Sequence, residues 1–236
     1  MTAIRAGGII AAGEGSRLRS LRLPKPMVPV GGKPLLAHVL ENFAASGIES
    51  ASIIFNGDEQ DCADFVRTRF GNLAKTVILQ TTASSFASFQ IILARARPGR
   101  LLVSTVDAFC PQEDFVSFVR SAEKRPDDET VLAVTTYIAD EKPLWVKRES
   151  DGRISEIGGM SGDTITAGIY VIPPRVRSLP LPHGFERLRD YLAWLCTEGH
   201  PVSGILIPRV VDVDRPEDLP LAEQLSMESA PARTQR

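Results

Sequence analysis

The feature that most constrains this chain is its opening: residues 4–12 are apolar apart from Arg5, and the run passes directly into a loop opened by Gly13 and Gly15. A run this short, ended by glycines, suits a central strand buried on both faces, and such strands belong to parallel sheets covered by helices on either side. The residues that follow keep that pattern. Over 33–46, Pro34 stands where a first helical turn tolerates proline, and Leu36, Val39, Leu40 and Phe43 recur at helical spacing. Residues 52–55 and 76–80 read as strands on either side of a helix over 58–70. Serines open a helix over 84–97 that turns Phe86, Phe89 and Leu93 inward, and 101–106 reads as a buried strand closed by Asp107.

Beyond Arg125 the pattern changes. Segments 130–138, 145–149, 153–157 and 164–172 are strand-like, and Asp151-Gly152 marks a hairpin turn, so antiparallel pieces are expected there. An amphipathic helix over 184–198 carries Leu188, Tyr191, Leu192 and Leu195, strands follow over 202–207 and 210–213, and Pro216 starts a last helix. No repeat and no Gly/Ser or Pro-rich linker divides the chain. The expectation is one α/β domain over residues 1–226, with a mixed, mostly parallel sheet, and a polar tail over 227–236. In such a sheet ligands bind beyond the carboxyl ends of the strands, which selects 13–33, 80–88, Asp107 and 212–214.

Charge narrows the function. The chain has a net charge of -2, which gives no general attraction to nucleic acid or an anionic membrane. No apolar stretch reaches the roughly 18 residues of a membrane span, and the start is thin for a signal peptide, so a cytoplasmic protein is expected. Cys62, Cys110 and Cys196 have neither disulfide-framework nor metal-knuckle spacing and read as small buried thiols. His38, His183 and His200 likewise lack metal-ligand spacing, and Trp145 and Trp194 read as structural aromatics. Against this background, Arg17, Arg19, Arg22, Lys25 and Lys33 face only Glu14 between residues 13 and 33, a local charge of +4. A positive loop with glycine-exposed backbone N–H groups is what a polyphosphate requires, although charge alone is equally consistent with a solvated basic loop. Neither a third glycine at Leu18 nor a Gly-Lys-Ser/Thr ending is present, which argues against dinucleotide and Walker-type sites.

Residue for residue, three blocks carry a more specific pattern: Ala11-Ala12-Gly13-Glu14-Gly15-Ser16-Arg17-Leu18, then Pro24-Lys25-Pro26, then Gly32-Lys33-Pro34-Leu35. Val106-Asp107, Thr166-Ala167-Gly168-Ile169-Tyr170 and Asp212-Val213-Asp214-Arg215-Pro216-Glu217-Asp218-Leu219 follow in order. This resembles the nucleotidyltransferase family that makes nucleotide-sugars and related activated phosphates. The resemblance implies a three-layer α/β/α sandwich and a Mg²⁺-dependent transfer of a nucleoside monophosphate from an NTP to a phosphorylated small acceptor, either a sugar-1-phosphate or a polyol or choline phosphate, with release of pyrophosphate. It implies catalytic roles for Arg17 and Lys25, which would neutralise the phosphates, and metal binding by Asp107 and a second carboxylate, Asp214 being favoured over Asp212. It assigns nucleotide contacts to Ala11, Ala12, Gly13, Gly15, Ser16 and Gln80, with Ser85 or Ser88 as further candidates; helix capping explains either serine as well. Lys147 and Gly168 are candidate acceptor contacts, although a strand lysine is often only a solvated edge residue. The segment 81–88 departs from the usual glycine turn, the spacer from Arg17 to Lys25 is eight positions as in compact members, and Arg215 replaces a commoner Thr. Two rivals stand beside this reading: a molybdenum-cofactor nucleotidylating protein of the same fold, and a catalytically silent nucleotide-binding subunit.

Overall fold

The alternation of buried and capped segments produces the elements expected from the sequence, together with several that were not, in the computed structural model, which describes residues 2–137, 143–180 and 184–229. The first half contains β1 (Ala6–Ala11), the short pair β2 (Pro29–Val30) and β3 (Lys33–Pro34), α1 (Leu35–Ala45), β4 (Ser50–Phe55), α2 (Gln60–Phe70), β5 (Ala74–Leu79) and α3 (Ser85–Arg95). Next come β6 (Leu101–Thr105), β7 (Ala108–Phe109), α4 (Gln112–Glu123), β8 (Thr130–Thr135), β9 (Trp145–Arg148), β10 (Ile154–Ile157) and β11 (Thr164–Ile172). The chain continues through α5 (Pro174–Arg177), α6 (Leu188–Thr197), β12 (Val202–Leu206), β13 (Val211–Asp212) and α7 (Leu219–Ser229). Helix α7 runs through the first three residues of the stretch expected as a polar tail; the rest of that tail, Ile138 and His183 lie outside the described residues.

Strand β1 occupies the centre of a nine-stranded sheet, parallel to β4 on one edge and to β6 on the other, with β5 parallel beyond β4. Strand β11 is antiparallel to β6 and pairs with β8 along its opposite edge and with β9 at its amino end. Because β12 runs parallel to β8 and β10 antiparallel to β9, only β10 and β11 oppose the direction of the other seven strands. The sheet is mixed and mostly parallel, as expected.

Side-chain alternation along these strands builds two cores. Ile9, Ile53, Phe55 and Leu102 face α1, α2 and α4, where they meet Leu36, Phe43, Val66 and Phe118. Ile10, Ile54, Leu101 and Val103 face the other way, toward Phe89 and Ile92 of α3 and Tyr191 and Leu195 of α6. Helices therefore cover both faces of the sheet, which is the three-layer α/β/α sandwich. Gly7 and Gly8 make the close approach possible: a side chain on Gly7 would overlap the Phe43 ring, and one on Gly8 would overlap Ile92. Helix α4 is not among the elements expected from the sequence, although its signal is present: Pro111 precedes it, Glu113 and Asp114 sit in its first turn, and Phe115, Phe118, Val119 and Ala122 form one buried stripe. A third, smaller core lies at the carboxyl ends of the strands, where Leu18, Val28 and Leu35 pack with Phe109, Val213 and Leu225. No helix among the described residues is long and apolar enough to cross a membrane.

Candidate active site

The basic loop is held by its apolar residues, which leaves its cations free to point elsewhere. Leu18 is fully buried in the third core, and its backbone N–H donates to the Gly15 carbonyl at 2.9 Å. Gly15 adopts φ +54°, and a Cβ there would stand 2.9 Å from Lys25 Cβ, so only glycine combines this backbone with this contact. Gly13, in contrast, has open space where a side chain would stand. Lys25 opens a short 3₁₀ turn between Pro24 and Pro26, closed by the Met27 N–H donating to the Pro24 carbonyl at 2.8 Å. Two prolines and Gly15 fix where the lysine stem starts.

The end of that stem joins residues far apart in sequence. Lys25 Nζ donates to Asp107 Oδ2 at 2.5 Å and to Asp214 Oδ1 at 2.8 Å, with only 9% of the lysine side chain exposed. Arg17 Nη1 donates to the other oxygen of Asp214. Asp107 sits in the turn between β6 and β7, and its carbonyl accepts from Phe109 N–H at 2.8 Å and Val213 N–H at 3.0 Å, which ties the two aspartate segments together through backbone. Asp214 does not cap the last helix. Asp218, at the end of the 3₁₀ turn ahead of α7, instead holds this segment, its Oδ2 accepting from the Asp214 and Arg215 N–H groups at 2.9 and 2.7 Å.

Burial works against a charged Lys25, but the Asp107 and Asp212 charges and the hydrogen bonds to Asp107 and Asp214 outweigh it and hold the ammonium protonated well above the ordinary lysine range. Burial likewise pushes the Asp214 carboxyl up, and the Lys25 hydrogen bond with the Lys25 and Arg17 charges reverses this, leaving it below the ordinary carboxylate range. The result is an alternating set of fixed charges at the carboxyl edge of the sheet.

Beside it opens a cavity of about 540 Å³, lined by Arg17, Ser85, Asp107, Gly168, Asp212 and Asp214 among others. Gly168 has φ +71° at an irregularity of β11 between Thr166 and Tyr170, where a Cβ would stand 2.6 Å from Thr105 Oγ1. Ala11 and Ala12 are buried at the end of β1, and Gly13, Gly15 and Ser16 form the loop beyond it. Ser85 Oγ accepts from Leu188 N–H at 3.1 Å, joining α3 to α6, while Ser84 is the cap of α3 and Ser88 is buried against Thr82. Gln80 is exposed just past β5, its backbone N–H bonded to the Phe55 carbonyl, and it is not among the cavity's lining residues. Lys147 also stands apart: its ammonium pairs with Glu156 across the β9–β10 ladder at 2.5 Å, and its side chain is 52% exposed.

The cavity instead holds two cations that the sequence reading did not select, Arg187 and Arg189 at the start of α6, neither of which forms an ion pair among the described residues. Their signal is faint because the segment stands out only by its apolar stripe. His38 is a packed histidine, bonded to the Val30 carbonyl at 2.8 Å and edge-on to Phe109, and burial lowers its pKa. Among the described residues no three His, Cys, Asp or Glu side chains converge on a metal position. The hard donors nearest to such a role are Asp107 and Asp214, which lie on either side of one cation already. Two carboxylates fit magnesium, which takes its remaining ligands from water and substrate phosphates.

The inositol-1-phosphate CTP transferase from T. maritima superposes with a TM-score of 0.82 over 95% of this chain and 96% of that one, at 21% identity. UDP-glucose pyrophosphorylase, solved with UDP-glucose, gives 0.78 over 96% and 100% at 15% identity. Both share the fold. A bifunctional IPC transferase and DIPP synthase of Rubrobacter xylanophilus is 29% identical over 227 residues, covering 92% of this chain and 51% of the relative. A probable mannose-1-phosphate guanylyltransferase of Arabidopsis thaliana is 26% identical over 188 residues, covering 71% and 50%. The chain thus spans about half the length of these curated relatives. The family described as the MobA-like NTP transferase domain matches residues 7–172, from the glycines of the central strand to the end of β11, and the chain belongs to that family.

Proposed function

We propose that this chain is a nucleotidyltransferase that moves a nucleoside monophosphate from an NTP onto a phosphorylated sugar or polyol, releasing pyrophosphate. The observation that carries the reading is the convergence of Lys25, Arg17, Asp107 and Asp214, from segments up to 197 residues apart, beside one cavity that Arg17, Asp107 and Asp214 line. An oxygen of the acceptor phosphate attacks the α-phosphorus, the bond to the bridging α–β oxygen breaks, and that oxygen leaves on pyrophosphate. No protein nucleophile is required; the chain supplies position and charge. Lys25 and Arg17 face the negative charge that builds on the α-phosphate and the leaving group, and the burial of Lys25 strengthens its part. Ala11, Ala12, Gly13, Gly15 and Ser16 offer backbone toward the nucleotide. Asp107 and Asp214 would hold magnesium, which when bound neutralises phosphate oxygens and helps to align them.

Arg187 and Arg189 take the part of acceptor-phosphate ligands in this reading, since they are the cations of the cavity not already paired among the described residues. The names of the relatives, an inositol-phosphate and a mannose-1-phosphate transferase, support a sugar-phosphate or polyol-phosphate acceptor. Retention of both aspartates beside both cations supports an active enzyme over a silent binder. A cytoplasmic setting suits its triphosphate substrate. The test is pyrophosphate release across the four NTPs and a panel of sugar and polyol phosphates, with Asp107→Ala as the control. At least one NTP and acceptor pair should give Mg²⁺-dependent release that the substitution reduces by about 10²-fold or more. Release unaffected by Asp107→Ala would remove that carboxylate from the reaction.

A further inference from the structure

Lys25 stands in the position a metal ion would need. Its ammonium bridges one oxygen of Asp107 and one of Asp214, and Arg17 holds the second oxygen of Asp214. Three of the four carboxylate oxygens are thus engaged by the protein's own cations. The two cations and two bonded carboxylates balance, with the Asp212 charge nearby in addition, and the lysine is the most deeply buried of the four, at 9% exposure against 22% for Asp107, 35% for Asp214 and 59% for Arg17.

A divalent cation arriving alone has to push a buried ammonium off both carboxylates that hydrogen-bond it, leaving it only the Asp212 charge nearby. Stripping one partner from a buried pair is the costly way to break it. A triphosphate changes the exchange, because its oxygens take up the displaced cations. Arg17, the exposed partner, meets it first and releases one Asp214 oxygen; Lys25 follows and releases the other two. The stem of Lys25 is fixed at Gly15 and between Pro24 and Pro26, yet its side chain has four rotatable carbons, so the head can swing while the backbone stays in place.

We propose that Lys25 is a placeholder cation: it fills the gap between Asp107 and Asp214 until a nucleoside triphosphate draws it away, so that the carboxylate pair accepts a divalent metal only together with the nucleotide. This rests on the nucleotidyltransferase reading above and adds to it an order of events. The bare ion is excluded, and the metal and the triphosphate load as one unit.

The test uses Mn²⁺ as the probe, titrated by electron paramagnetic resonance into the whole protein without nucleotide. Lys25→Met keeps the length of the side chain and removes its charge, and it should bind Mn²⁺ about tenfold or more tightly than the wild type. Adding Asp107→Asn to that variant should abolish the gain. Equal or weaker Mn²⁺ binding by a folded Lys25→Met variant overturns the proposal. A second measurement needs no substitution: in protein labelled at lysine side-chain nitrogens, the Lys25 resonance should be unmoved by millimolar Mg²⁺ alone and shift when Mg²⁺ is added with a non-hydrolysable triphosphate analogue. A shift with Mg²⁺ alone overturns it. The two readings fail separately. A wild type that releases pyrophosphate from no NTP defeats the nucleotidyltransferase assignment whatever the titration gives, whereas an active wild type whose Lys25→Met variant gains no Mn²⁺ affinity defeats only the placeholder.

Discussion

Replacing Gly168 with alanine adds one methyl group at a point where the backbone and the neighbours both resist it. The residue has φ +71°, and a left-handed conformation costs a non-glycine residue about 1–2 kcal/mol. The new Cβ would also stand 2.6 Å from Thr105 Oγ1 and 3.0 Å from Ala108 Cβ, and overpacking of this kind costs about 1–3 kcal/mol. Taken together the expected loss is about 3 kcal/mol, which for a chain of this size lowers Tm by about 6–12 °C. Thr105→Ala in the same chain removes the nearer obstacle and leaves the dihedral strain, so the double variant should recover about 1 kcal/mol relative to the sum of the single changes. Differential scanning calorimetry on the four proteins measures both terms. Because Ala108 follows Asp107 directly, the single variant should also lose pyrophosphate release beyond what its lower stability explains, measured well below its Tm. The reasoning is refuted if Gly168→Ala melts within about 1 °C of the wild type. It is refuted in part if Thr105→Ala restores nothing, since the overlap would then carry none of the cost.

Two further outcomes separate the cavity from the surface and set the pH response. Arg189→Ala should raise the KM for the phosphorylated acceptor about tenfold or more while leaving the KM for the NTP within about twofold, whereas Lys147→Ala, which removes only a surface pair with Glu156, should change neither beyond about twofold; steady-state kinetics with each substrate varied in turn distinguishes them. Glu59, ahead of α2, is pushed up to about 7 by burial, against a weaker opposing hydrogen bond from Asn56 N–H. Its folded form holds a proton that the unfolded chain gives up near 4.5, so its contribution is complete below that pH and is lost as pH rises through about 7. Urea denaturation at pH 5 and pH 8 should show the wild type losing about 1 kcal/mol more than Glu59→Gln across that interval, a figure reduced for partial exposure to solvent.

Much of the fold was legible because its cause is local. The strands around β1 are apolar on both faces and the helices between them carry single stripes, so period and burial agree wherever the two cores meet the sheet. Helix α4 is less legible: it lies between a strand closed by Asp107 and a change of pattern at Arg125, and its stripe of Phe115, Phe118 and Val119 is interleaved with polar residues. In the site, the motif residues Arg17, Lys25, Asp107 and Asp214 do meet. Their meeting is a property of topology, since the turn after β6 and the segment after β13 are joined by backbone hydrogen bonds that no spacing reveals. Lys147 drew attention as a cation in a strand, yet its charge is spent on the neighbouring strand, and the two arginines that enter the cavity come from a helix start whose polar residues carry no pattern of their own. Gln80 has its place just past β5 visible in sequence, and like Ala11, Ala12, Gly13, Gly15 and Ser16 it is not among the residues that line the cavity.

The adjacent glycines of β1 leave that strand clamped between two jaws, the Phe43 ring on one face and Ile92 on the other. Sliding the strand lengthwise by one residue drives Ala6 or Ile9 into a gap that accepts only hydrogen. Its register is therefore keyed at mid-strand, well behind the surface where chemistry is proposed. The height at which the Gly13 loop emerges above the sheet is thus a machined dimension rather than an adjustable one, and substitutions near the middle of the molecule can misplace a phosphate without touching any residue that binds it.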